Sequence, residues 1–305
     1  MSISKPPGAV RGGFSFARAS RGSDGKVDAM VWWVILIAIG AGALGQFLDT
    51  VAGMGFGAFS GSIMLAGGVT PAVVVATVNL AKVGSGMASA LSHLRFGNVE
   101  RSWVLPLAVP AVAGGVLAGL VLTHLPVEAS RFLVPVLLLG VGFFILRRFL
   151  TGAATVPPVA GGSDDVALAP GRLARIRLTI ADAPDSAKLG VVGFSAGVLN
   201  GMSGAFGPIA TSSVILLKGG HPRHAIGTVN FVEFFVAFAT AATVISQIKW
   251  SGFGWALPVA LMAGSFLTAP LGAYLARHMP ARVIGVMVGA ALVGLNLWTI
   301  ARAVL

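Results

Sequence analysis

Thr77-Val78-Asn79-Leu80-Ala81-Lys82 returns 151 residues later as Thr228-Val229-Asn230-Phe231-Val232-Glu233. Each copy lies inside a long apolar stretch, 70–92 for the first and 223–247 for the second. Stretches of that length exceed the roughly 20 residues a bilayer-spanning helix needs. The motif therefore points to a chain that is integral to a membrane and built twice. Other pairs follow in the same order: Pro71 with Pro222, Leu105-Pro106 with Leu257-Pro258, His124-Leu125-Pro126 with His278-Met279-Pro280. Gly53-Met54-Gly55-Phe56-Gly57 is answered by Gly201-Met202-Ser203-Gly204-Ala205-Phe206-Gly207. Chance supplies one such match; an ordered series is evidence of duplication.

Composition agrees. Of 305 residues only 10% are charged and 56% are hydrophobic, whereas soluble chains carry roughly a quarter charged residues. A soluble body could not cover its surface with so few charges. The absence of cysteine excludes disulfides, thiol catalysis and thiolate metal sites. The formal charge of +11 sits in tails and loops beside apolar stretches. There it sets membrane orientation and does not mark a nucleic-acid surface.

Further apolar stretches read 31–51, 102–123 and 129–150, then 187–204, 253–276 and 281–304. Two pieces of 13 residues, 54–66 and 206–218, suit re-entrant or broken helices better than full spans. The expected fold is an all-α integral membrane protein of about eight transmembrane helices in two four-span repeats, each with a short re-entrant or broken segment. Residues 1–30 read as a disordered basic tail, 31–150 as the first repeat, 151–186 as a cytoplasmic linker and 187–305 as the second repeat. With eight crossings and the tail inside, 15 of the 21 Lys/Arg face the cytoplasm and five face out. Ten crossings split them 12 against eight, so the positive-inside rule selects eight. That reading sets the chain in the cell (inner or plasma) membrane, with both termini and the linker cytoplasmic.

Ionisable residues are rare inside the apolar segments, and Lys82, Glu233 and Asp49 stand out. A charge at such depth costs about 2.5–3.5 kcal/mol on insertion scales, so it faces a partner or a wet cavity. Lys82 and Glu233 hold equivalent places in the repeat, three residues after Asn79 and Asn230, and a spacing of three shares one helix face. Two readings stand: a structural ion pair joining the halves, or a central site. In the second, Lys82 attracts an anion, Asn79 and Asn230 hydrogen-bond it, and Glu233, with Asp49 and His93, handles protons. The clusters around Gly53, Gly55 and Gly57 and around Gly204 and Gly207 also read two ways. They are close-packing contacts, or backbone N–H donors for a negative substrate where a helix breaks. No nucleophile-elbow, zinc-protease or phosphate-loop motif is present. We expect no enzyme, no cofactor and no metal.

The ordered set of Asp49–Gly57, His93–Val99 and Gly207-Pro208 followed by Gly227–Glu233 resembles the sulfite exporter TauE/SafE family of membrane permeases, over about 31–304. The resemblance implies a secondary transporter, an exporter of small anions such as sulfite or organosulfonates, coupled to a proton or ion gradient. The partners expected are the anion, the bilayer and further copies of the chain in a homo-oligomer, with no nucleic acid. Similar sequences often carry an acid where Lys82 stands, which implies a shift in substrate charge or coupling here. A passive anion channel and a non-transporting membrane scaffold are the alternatives.

Overall fold

The computed structural model describes residues 25–52, 55–151, 184–218, 222–248, 254–276 and 281–304. Gly53, His278, most of the N-terminal tail and most of the linker lie outside them. All ten described elements are α-helices. The first five are α1 Gly25–Ala52, α2 Phe56–Ala66, α3 Pro71–Arg95, α4 Arg101–His124 and α5 Val127–Leu150. The next five are α6 Asp185–Ser203, α7 Gly207–Lys218, α8 Pro222–Gln247, α9 Ala256–Ala276 and α10 Ala281–Val304. Their bounds follow local signals. Pro71 opens α3, where a missing N–H is harmless. Glu100 accepts from Ser102 at the start of α4. Gly204 closes α6 in the left-handed region at φ 78°. Helix α1 starts six residues inside the stretch expected to be a disordered tail.

Six described segments are long and apolar enough to cross a membrane: Trp32–Asp49, Pro71–Arg95, Arg101–His124, Val127–Leu150, Arg223–Gln247 and Gly285–Ala303. Phe56–Ala66, Gly207–Lys218 and Ala256–Thr268 are shorter apolar helices. Large apolar side chains such as Leu105, Leu216, Phe143 and Leu267 stand exposed on the outer faces, as a lipid solvent permits and water does not.

Contacts between helices fix their relative directions. Helix α2 runs back along α1: Ser60 donates to the Ala41 carbonyl, and Gly67 lies against Ile37. It is also antiparallel to α3, with Gly57 beside Lys82 and Gly61 beside Val74. Helices α4 and α6 are parallel, because Gly193, Gly197 and Gly201 sit on Leu107, Ala111 and Gly115 in turn. Helix α8 runs with α4, matching Thr240 to Gly115 and Val244 to Gly119. It runs against α3, since Lys82 meets Glu233 while His93 meets Asn230. Helices α5 and α10 are antiparallel, with Gly142 on Leu292 and Phe149 on Gly285. Asn296 and Arg302 of α10 follow Ser62 and Ala66 of α2.

Ile37, Ala66 and Arg302 therefore share one end of the bundle. Phe149, Gly285, Lys218 and Asp185 share the other, where Lys218 binds Asp185 at 2.6 Å and its ammonium lies 5.5 Å from the Trp103 ring. An even number of crossings per half would put the N-terminal end of α1 and the C-terminal end of α5 together; here they are apart. The reason is α2. It is one return leg alongside α1, not an extra loop that enters and leaves on one side.

Candidate functional site

Each half carries a break between a long helix and a short one, and the two breaks approach each other. In the first, α1 delivers Asp49 to the start of α2. Its carboxylate accepts from the N–H groups of Gly55 at 2.8 Å and Phe56 at 3.2 Å. Gly55 has no side chain with which to cap α2. An anionic acceptor at a helix N-terminus satisfies orphan donors and complements the dipole. In the second, α6 ends in the left-handed turn at Gly204 and α7 begins at Gly207-Pro208. The two breaks pack so tightly that a Cβ on Gly57 would lie 1.9 Å from the Gly204 carbonyl oxygen. Only glycine permits that approach.

Lys82 and Glu233 face each other beside this contact. The Lys82 ammonium lies 2.5 Å from Glu233 Oε1 and donates to the Gly204 carbonyl at 2.8 Å. Its side chain is 8% exposed and that of Glu233 is 20%. An ammonium has three donors, so these two contacts leave a third for the space alongside. That space is a cavity of about 120 Å³, large enough for several waters or a small oxyanion. Its walls come from α1 (Gln46, Asp49), α2 with the residue before it (Gly55, Phe56, Gly57), α3 (Lys82, Ser85, Gly86, Ser89), α7 with the residue before it (Phe206, Gly207, Pro208) and α8 (Asn230, Glu233, Phe234).

The residues singled out in the sequence divide. Lys82, Glu233, Asp49, Asn230, Gly55, Gly57 and Gly207 all line the cavity. Gly204 contributes through its carbonyl. Gly53 lies outside the described residues. Asn79 turns elsewhere: its amide donates to Val75, and its oxygen accepts from Asn200 at 2.8 Å. Asn200 also reaches Thr240 at 3.3 Å, which knits α3, α6 and α8 together. The two repeated asparagines are thus equivalent in sequence and different in use. His93 stands one residue back from the cavity. Its ring nitrogens lie 3.4 Å from the amides of Asn230 and Asn98. Both neighbours present amide N–H donors, so a neutral imidazole can accept from only one of them; His93 lies between a cavity wall and the α3–α4 turn. Gln46, Ser85 and Ser89 were not singled out in the sequence. Their helical spacing from Asp49 and Lys82, three or seven residues, is the signal that would have found them.

Asn200 lies 151 residues after Asp49, the same interval that separates Lys82 from Glu233. One break is thus capped by a carboxylate, while its counterpart carries a neutral amide engaged elsewhere.

Residues 29–299 match the protein-family model described as Sulfite exporter TauE/SafE. Among curated proteins, the chain is 32% identical over 259 residues to a Bacillus subtilis (strain 168) protein named "Probable membrane transporter protein YtnM", covering 85% of this chain and 80% of the relative. It is 33% identical over 105 residues to "Probable membrane transporter protein ORF9" of Sinorhizobium sp, covering 34% of this chain and 40% of that one. No solved structure matches.

Proposed function

The chain belongs to the sulfite exporter TauE/SafE family and is a multi-pass membrane transporter of that type, and from that premise we propose that it exports small anions such as sulfite or organosulfonates in step with protons. The observation that carries this reading is the Lys82 ammonium, held by Glu233 at the wall of a small polar cavity. With both groups ionised, Glu233 occupies the cation an anion would seek. Protonating Glu233 frees the ammonium, and the anion takes the carboxylate's place. A monoanion, such as hydrogensulfite or a sulfonate, and one proton then bind together and cross together without moving net charge. Direction follows their combined gradients, which is outward when the anion accumulates inside. Asn230 and the serines of α3 orient the oxyanion, and His93 passes the proton toward the α3–α4 turn.

The proposal includes an architecture. The eight long helices and the two half-length legs α2 and α7 form two halves of inverted orientation. This is supported by the antiparallel packing of α3 on α8 and of α5 on α10, and by reciprocal pairing of α4 with α6 and of α9 with α1. Inverted halves meeting at a midplane site suit alternating access. Arg95, Arg101, Arg147, Arg148, Lys188, Lys218 and Arg223 gather at the linker end of the bundle, whereas Lys26, Arg131 and Arg302 lie at the other. By the positive-inside rule the linker end is cytoplasmic. Both termini of the bundle then face outward across an inner or plasma membrane, which replaces the cytoplasmic termini expected from an eight-crossing count.

The test is uptake of labelled sulfite into proteoliposomes, with and without an imposed pH gradient, and with sulfonates and carboxylates as competitors. Saturable uptake that rises when the outside is acidified is expected. Unsaturable flux that ignores the pH gradient would identify a passive pore and overturn the coupled mechanism.

A further inference from the structure

A second cavity, of about 170 Å³, opens at the end of the bundle away from the linker. Two guanidinium-bearing residues from different helices line it, Arg131 in the first turns of α5 and Arg302 in the last turn of α10. The floor is the α2–α3 turn, where Arg302 donates to the Ala66 carbonyl at 3.3 Å. Thr299, one turn before Arg302, completes the polar wall. Among the described residues neither arginine has a carboxylate within 4.0 Å. Two like charges lining one small cavity repel, and an anion between them would relieve that repulsion. The planar fork of each guanidinium fits a tetrahedral oxyanion through paired N–H donors.

The surroundings set the depth of this cavity. Trp298 is 60% exposed one turn before Arg302, and Phe132 is 49% exposed beside Arg131. Exposed aromatics next to basic residues at helix ends mark the headgroup layer, where paired guanidinium groups meet the phosphates of either leaflet. From this geometry we infer that Arg131 and Arg302 form an anion site distinct from the central cavity, which takes a phosphate-type oxyanion carried by an anionic lipid headgroup or free in solution. Lys82 and Glu233 have no part in it, so it stands or falls independently of the transport mechanism.

The test uses the full chain purified in detergent and native mass spectrometry with added phosphatidylglycerol or phosphatidylethanolamine. A parallel arm titrates inorganic phosphate and follows the unfolding temperature. Retention of phosphatidylglycerol over phosphatidylethanolamine, reduced about tenfold by each of Arg131→Gln and Arg302→Gln, assigns a lipid site. Arginine-dependent stabilisation by inorganic phosphate without lipid selectivity assigns a free-anion site. Should a variant fail to fold, the Arg131→Lys/Arg302→Lys protein keeps the charge, loses the fork and is expected to retain partial binding. Equal retention of both lipids together with no response to phosphate in the unaltered protein overturns the inference.

Discussion

Lys82 and Glu233 hold the same place in two copies of one motif, and their side chains meet at 2.5 Å. Helices α3 and α8 run antiparallel, so these two residues meet at one level only. Two opposite charges at that level neutralise each other at rest and stay within reach of the cavity.

Removing one member strands the other in a low-dielectric site. Lys82→Ala or Glu233→Gln is expected to abolish sulfite transport. For Lys82→Ala a loss of about 3–5 kcal/mol of stability is also expected, the usual penalty for an uncompensated buried charge. The double variant Lys82→Met/Glu233→Met should regain most of that stability and remain inactive. Detergent unfolding curves and proteoliposome uptake on the same samples separate the two effects. Normal transport by any of the three would rule out the central site.

Asp49 and Asn200 lie 151 residues apart and do unlike work. Asp49→Ala removes the cap from α2 and is expected to cost about 1 kcal/mol, whereas Asp49→Asn keeps an acceptor and most of the stability. Asn200→Asp deprives the Asn79 oxygen of its donor and should cost about 1–3 kcal/mol. Thermal unfolding of the three variants checks the order. An Asn200→Asp protein as stable as the parent would mean that the asparagine bridge does not hold α3 to α6.

Gly57 has no room for a methyl group, because the atom it would strike is backbone, the Gly204 oxygen. Gly57→Ala is expected to lose about 1–3 kcal/mol through overpacking, with transport falling further because Lys82 lies 2.8 Å from the new carbon. Gly40→Ala, where a Cβ meets nothing within 4 Å, should be neutral or slightly stabilising. If the two substitutions behave alike, close approach of the two breaks is not what Gly57 provides.

Topology is accessible because the chain contains no cysteine. Single cysteines at Ala160 in the linker and at the C-terminal Leu305 are expected to label oppositely with an impermeant maleimide on intact cells. The C-terminal site should react and the linker site should not. Labelling of both, or of neither until the cells are opened, would return the chain to an even number of crossings per half.

Segment positions needed no structure. The apolar stretches 70–92, 102–123 and 129–150 correspond to α3, α4 and α5, and the 13-residue pieces 54–66 and 206–218 correspond to the short helices α2 and α7. Hydropathy is a property of consecutive residues, so these stretches mark helices wherever the helices later pack. Pairing of Lys82 with Glu233 was also legible, because an intramembrane charge requires a partner and the repeat supplied one of opposite sign. Tertiary structure alone decided that α2 folds back along α1, that Asn230 faces the cavity while Asn79 binds Asn200, and that Asp49 caps a neighbouring helix. A repeated motif states which residues correspond, but copies related by an axis along the membrane normal or within its plane leave the same trace in the sequence. Only the side-chain contacts between helices, which depend on their directions in space, distinguish the two.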